Sequence, residues 1–290
     1  MKASEFDKKF AASVEGVIDP LDLSNASRPN QTPCRVNERA LDDMRMTALY
    51  AESLAARRAL EPAPVFARYP DFVGGTHGVE AMAYVWIARE HLRETANFVN
   101  EFVMYLVQLR AWQVVLTTLE EPERHQVLIE FLIPLAAFCL SAPYALKARI
   151  CRSVSELSNQ ANRFVRPGWR DTVDLTKANF KTAQSLACDW TRWPALEAGL
   201  AALNTDEFDE AVDGYRNDFH HGFPRRVELG QSSVVTRNVS PGQVSYSFGV
   251  GEPLSLDVLV PLLLEQCDAA LASYDAYVDL VREQYVRFDG

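Results

Sequence analysis

Residues 79–119 read VEAMAYVWIAREHLRETANFVNEFVMYLVQLRAWQVVLTTL, with no proline and no glycine. Apolar side chains recur at helical spacing, at Met82, Val85 and Trp86 and again at Phe98, Phe102, Tyr105, Leu106 and Leu109. The stretch predicts a single helix of about forty residues and about 60 Å. Together with the helical patterns that follow it, this stretch sets the expectation for the whole chain. That expectation is an all-α, multi-helix bundle with long helices and one small β-hairpin before the C-terminal helix.

Working outward, helical patterns are expected over 42–61, 122–141 with a kink at Pro134, 144–163, 170–190 and 205–221. Breaks fall at Pro143, at Pro167 with Gly168, and at Pro194. Over 232–251 the period changes to two: SSVVTRNV and VSYSFGV flank SPGQ, which predicts a hairpin around a proline-glycine turn. The last helix carries Leu264, Cys267, Leu271, Tyr274, Val278, Val281 and Tyr285 on one face and runs to about Arg287. Pro261 either starts it or kinks a helix that begins near Ser255. Residues 1–38 are polar and interrupted by Pro20, Pro29 and Pro33, and read as an arm; residues 39–290 read as one helical domain.

Composition narrows the function classes. The 290 residues hold 48% hydrophobic side chains, enough for a substantial core, and a formal charge of −10, which argues against general charge-driven affinity for nucleic acid or anionic membrane. Any nucleic-acid contact must be local. Cys34, Cys139, Cys151, Cys188 and Cys267 are widely spaced and make no metal-ligand pattern, so reduced and mostly buried thiols are expected. The N-terminus lacks an apolar segment of signal-peptide length, giving a cytoplasmic expectation. The most apolar run, VLIEFLIPLAAFCL at 127–140, is too short for a bilayer and reads as core helix, with no membrane partner expected.

The sequence has no GxxxxGKS or GxxxxGKT, no strand-linked GxGxxG, no HExxH and no GxSxG. FVGGTHG at 72–78 reads as a loop before a helix. His91 and His125 stand apart in the sequence and read as histidines without chemistry. One segment remains: GYRNDFHHGFPRR at 214–226 places Arg216, Asn217, His220 and His221 at the end of a helix stopped by Gly222 and Pro224. On a helix Arg216 and His220 lie about 40° apart, as do Asn217 and His221. Arg225, Arg226 and Arg237 follow as candidate phosphate-binding cations. A bland reading stays open beside this one: Arg216 pairs with Asp213 or Asp209, and the histidines cap helix carbonyls in solvent.

RNDFHH resembles the Arg-x4-6-His signature of the HEPN superfamily, with Asn217 as the polar residue after the arginine and His221 as the histidine at the minimum spacing. The order of elements from about 144 to 290 is also similar, with the motif ending a late helix and one long helix following. The resemblance implies a metal-independent endoribonuclease acting as a homodimer, leaving 2′,3′-cyclic phosphate and 5′-OH ends and needing no cofactor. It assigns Arg216 to the phosphate, Asn217 to a polar supporting role and His221 to acid–base catalysis, with His220 as the alternative. In HEPN toxins paired with nucleotidyltransferases a tyrosine often lies two residues after the histidine, and that position is Phe223 here. Residues 1–37, through MKASEFDKKF, LDLS and RPNQ, resemble the leader of ribbon-helix-helix antitoxins, with no such domain following. That likeness implies a toxin–antitoxin or defence setting, with an antitoxin or other protein as partner. The competing expectation is a non-catalytic HEPN-like module for protein binding or assembly.

Overall fold

The computed structural model describes residues 35–71, 79–230, 235–240, 243–249 and 251–288. The expected arm lies outside them up to residue 34, as do His77 with its glycines, the hairpin turn at 241–242 and the thiol of Cys34. Contacts divide the chain into two units, Met1–Ala48 and Leu49–Gly290. The first is described only by the opening of helix α1 (Arg35–Arg58), where the Thr47 hydroxyl donates to the Asp43 carbonyl at 2.8 Å. All packing described below belongs to the second.

The proline-free stretch is one helix, α2 (Val79–Leu116), as its periodicity predicts. Two other long helices match it: α4 (Ile133–Val165) and α9 (Leu256–Val286). These three pack against one another pairwise and form an all-α bundle. Tyr84, Leu92, Phe102, Leu106 and Leu109 from α2, Leu140, Leu146 and Ile150 from α4, and Tyr274 and Tyr277 from α9 are almost wholly excluded from solvent. Each such side chain contributes about 1.5–3 kcal/mol of apolar burial. The segment before α2 is tied down by hydrogen bonds: Ala67 N–H donates to Asn100 Oδ1 at 2.8 Å, and the Tyr274 hydroxyl donates to the Arg68 carbonyl at 3.0 Å.

Prolines act differently from the sequence expectation at three places. The helix opened by α3 (Glu121–Val127) widens into a π turn, Leu128–Leu132, immediately before Pro134. The wider turn relieves the clash of the proline ring with the carbonyl four residues back. Pro143 does not break the next helix: it is buried inside α4, where packing of Cys139, Leu140, Ala142 and Leu146 outweighs one missing backbone bond. Pro194 does not end a helix but sits in the first turn of α6 (Trp193–Ala202), where a missing N–H costs nothing. The whole stretch Glu121–Val165 is long and apolar enough to cross a membrane by length and composition, and half of its most apolar window is buried inside this bundle.

Polar side chains shorten two other expected helices. Over 170–190 only a 3₁₀ turn, Leu175–Lys177, and α5 (Phe180–Ala187) form. Asp174 and Asn179 accept backbone N–H groups from Thr176 and Thr182 and so start fresh elements. The stretch 205–221 splits into α7 (Asp206–Ala211) and α8 (Tyr215–His221), because Asp213 (φ 57°) and Gly214 (φ 60°) are left-handed. α5 and α8 pack on α4, and α6 packs on α9. The α6–α9 approach is close enough that a Cβ at Gly199 would stand 3.1 Å from Ser273 Cα.

The hairpin is present as β1 (Val235–Ser240) antiparallel to β2 (Gln243–Phe248), in register from Val235↔Phe248 to Ser240↔Gln243. α9 begins at Leu256, capped by Ser255 Oγ accepting from Asp257 N–H at 3.2 Å, so Pro261 lies within the helix rather than at its start.

Candidate functional site

The sequence-selected residues gather on α8, whose seven residues are anchored by Tyr215, buried and stacked on Phe219 at 5.9 Å. Gly214 makes the left-handed entry and Gly222 N–H, donating to the Asp218 carbonyl at 2.8 Å, closes the helix. Arg216, Asn217, His220 and His221 thus occupy two turns with the i,i+4 pairing that the spacing predicts. The rings of His220 and His221 lie 6.3 Å apart, both exposed, and His220 stands edge-on to Phe219 at 5.3 Å. Asn217 donates weakly to Asp218 Oδ1 at 3.4 Å.

Arg216 does not form the ion pair with Asp213 or Asp209 that the bland reading offers. Its guanidinium carbon lies 3.6 Å from the centre of the Tyr144 ring on α4. Among the described residues no carboxylate is within ion-pair distance of it. A guanidinium stacked on an aromatic face keeps its N–H fork at the edge free for an anion. Asp213 faces Arg225 instead, at 4.0 Å.

The three following arginines differ in freedom. Arg225 is held by Asp213 and by donation from Nε to the Glu252 carbonyl, with 29% of its side chain exposed. Arg226 is exposed and lies near enough to Tyr215 for its charge to oppose the upward push that burial exerts on that phenol. Arg237 belongs to β1, and its side chain lies outside the described residues.

What orders this segment is a clamp onto the start of α9. Leu254 N–H donates to the Arg226 carbonyl at 2.7 Å, and Glu228 N–H donates to the Leu254 carbonyl at 2.9 Å. The Glu228 carboxylate also bonds Arg124 at 2.8 Å and accepts from the Leu256 N–H.

A second group of polar residues escapes the sequence reading. His91, taken from the sequence as isolated, lies between α2 and α4, with Nδ1 2.7 Å from Ser153 Oγ and Nε2 3.7 Å from Glu156 Oε2. Ser153 Oγ in turn makes a short hydrogen bond with the buried Tyr277 hydroxyl on α9. A cavity of about 230 Å³ opens beside this chain, lined by His91, Glu94, Thr95, Arg149, Arg152 and Ser153. The only sequence signal is helical spacing within each helix: 91, 94 and 95 on one, 149, 152, 153 and 156 on the other. Nothing in either run says that the two face each other.

The described thiols are free: Cys139, Cys151 and Cys267 are buried and Cys188 is exposed. Burial raises the Cys151 and Cys267 thiols to about 11. No group of three or more His, Cys, Asp or Glu side chains is placed to hold a metal among the described residues. Compared with known proteins, the chain matches no family model, no curated protein and no solved structure.

Proposed function

We propose that the protein is an endoribonuclease of HEPN type that cleaves RNA at the α8 motif. The observation that carries the reading is the presentation of Arg216: stacked on Tyr144, without a carboxylate partner among the described residues, and one turn from two exposed histidines. An unneutralised guanidinium beside imidazoles suits a phosphodiester.

The reaction needs a base, an acid and a phosphate clamp. The ribose 2′-oxygen attacks phosphorus as His221 accepts its proton, the P–O5′ bond breaks, and the leaving 5′-oxygen takes a proton from a second acid. Arg216 stabilises the charge gained by the non-bridging oxygens in the transition state. The products are a 2′,3′-cyclic phosphate and a 5′-OH. In a homodimer the second acid is the facing subunit's motif; within one chain it is His220. Exposed Arg226 extends the phosphate track. A cytoplasmic toxin or defence effector restrained by an antitoxin is the setting that fits this activity.

Incubating the purified protein with transfer or messenger RNA in EDTA tests the proposal. Chelator-resistant cleavage is expected, abolished by Arg216→Ala and by His221→Ala separately, while His220→Ala decides which imidazole acts. Cleavage that requires a divalent metal, or that survives both substitutions, overturns the reading.

A second reading has its own observation. Phe223, two residues past the helix end, is 95% exposed, and Phe219 is 46% exposed. Aromatic rings presented to solvent beside a motif suit a protein partner. A non-catalytic binding or assembly module would use the same surface, and harmless overexpression with a stoichiometric co-purifying protein would favour it.

A further inference from the structure

The cavity between α2 and α4 lies on other elements than α8 and has a lining of its own. Three donor groups border it. Arg149 and Arg152 lie three residues apart on α4, and His91 faces them from α2. The Arg149 guanidinium lies 4.1 Å over the Phe98 ring. Arg152 has no hydrogen-bond or ion-pair partner among the described residues.

One of the two nearby acids is paired. Glu94 pairs with Arg93 at 3.2 Å and Glu156 faces His91 at 3.7 Å. Against Glu156 alone the two arginines still leave an excess of positive charge around a concave space in a chain whose total charge is −10. Guanidinium groups near apolar walls attract oxyanions more strongly than they do in open water.

The buried hydrogen-bond chain fixes what the histidine presents. The Tyr277 phenol is fully buried, and Ser153 Oγ is its one acceptor among the described residues, so its proton goes there. Burial holds that phenol above its ordinary value and keeps the proton in place. Ser153 then donates its own proton to His91 Nδ1 at 2.7 Å. With Nδ1 accepting from Ser153, the ring hydrogen is carried on Nε2, which lies 3.7 Å from Glu156 Oε2, beyond hydrogen-bonding reach. Thr95 does not compete, because its hydroxyl donates to the His91 carbonyl at 2.7 Å.

We propose that this cavity binds a phosphate monoester of a small organic molecule, with Arg149, Arg152 and His91 Nε2–H donating to the phosphoryl oxygens. Three donors from two helices match the three terminal oxygens of a phosphate better than the two of a carboxylate. The space of about 230 Å³ exceeds a bare phosphate and leaves room for an attached apolar or aromatic group. This site is independent of RNA cleavage at α8.

Isothermal titration of the full chain with phenyl phosphate, inorganic phosphate and benzoate, at constant ionic strength set by chloride, tests the proposal. Saturable binding of phenyl phosphate is expected, weaker binding of inorganic phosphate, and weaker still of benzoate. Arg152→Gln and Arg149→Gln replace exposed side chains and leave the fold intact by circular dichroism; each weakens phenyl phosphate binding by about tenfold or more, as loss of a charged hydrogen bond does. Arg216→Ala leaves the affinity unchanged. No saturable binding, binding indifferent to Arg152→Gln, or loss of binding in Arg216→Ala each overturns the assignment, the last by moving the ligand to the α8 motif.

Discussion

Two histidine regions of this molecule are built in opposite ways. α8 carries His220 and His221 at the end of a seven-residue helix, exposed, anchored by Tyr215 and by the contact of Arg216 with Tyr144. His91 sits on a 38-residue helix, and its ring is held by Ser153 of α4, which is held in turn by Tyr277 of α9. The first presents its histidines to solvent, where the proposed RNA substrate can reach them. The second makes polar groups part of the core, where each unsatisfied donor or acceptor has a thermodynamic cost. Activity and stability should therefore respond separately to substitution in the two regions.

The largest expected effect is on activity with little change in folding. His221→Ala or Arg216→Ala lowers RNA cleavage about 10²–10⁴-fold, measured by single-turnover rates, while thermal unfolding stays close to that of the unsubstituted chain. A matching fall in melting temperature would break the comparison, because it would make α8 a structural element.

The core side is tested in reverse. Tyr84 donates to Gln284 Oε1 at 2.8 Å, and Gln284 Nε2 donates to Ser158 Oγ at 2.8 Å, all fully or nearly fully buried. Tyr84→Phe leaves the Gln284 acceptor without that partner and costs about 1–3 kcal/mol. Gly199→Ala, which forces α6 away from the Ser273 backbone, costs a similar amount, about 1–3 kcal/mol. Urea unfolding measures both, and cleavage per folded molecule is expected to be unchanged.

Tyr144→Leu sharpens the comparison at the point where α8 meets the bundle. It removes the aromatic face beneath Arg216 but keeps an apolar side chain on α4. A cation–π contact is worth about 0.5–2 kcal/mol, so a fall in cleavage of about tenfold is expected, mostly in kcat. An unchanged rate would mean that the stacking does not orient the guanidinium for reaction.

The smallest effect is on thiol chemistry. In a Cys34→Ser background one thiol, Cys188, should react rapidly with a disulfide reagent, and Cys139, Cys151 and Cys267 only on unfolding. Cys151 and Cys267 keep their protons in the folded protein up to about 11, against 9.0 when unperturbed. The unfolded chain loses those protons first as pH rises, so this contribution to stability is present below about pH 9 and declines between about pH 9 and 11. Urea midpoints measured across that range check the sign.

The long helices and the hairpin are legible in the sequence because their signals are local. Spacing alone places α2, α9 and the β1–β2 pair to within a few residues. Proline is read less well, since its effect depends on context: Pro143 is tolerated by packing, Pro134 by a π turn, and Pro194 by a first-turn position. The split of α7 from α8 turns on two left-handed residues, Asp213 and Gly214, and only the glycine announces it.

By itself the sequence determined an all-α chain with long helices, and it singled out Arg216, Asn217, His220 and His221, because helical periodicity and a six-residue spacing are both carried by neighbouring residues. Only the tertiary structure decided that Arg216 lies on Tyr144 rather than beside Asp213 or Asp209. The same holds for His91 and Ser153, which meet across 62 positions of chain beside two arginines. Contacts of that kind come from the pairing of α2 with α4, and the pairing is set by which apolar faces bury each other, a property of the whole bundle and of no single segment.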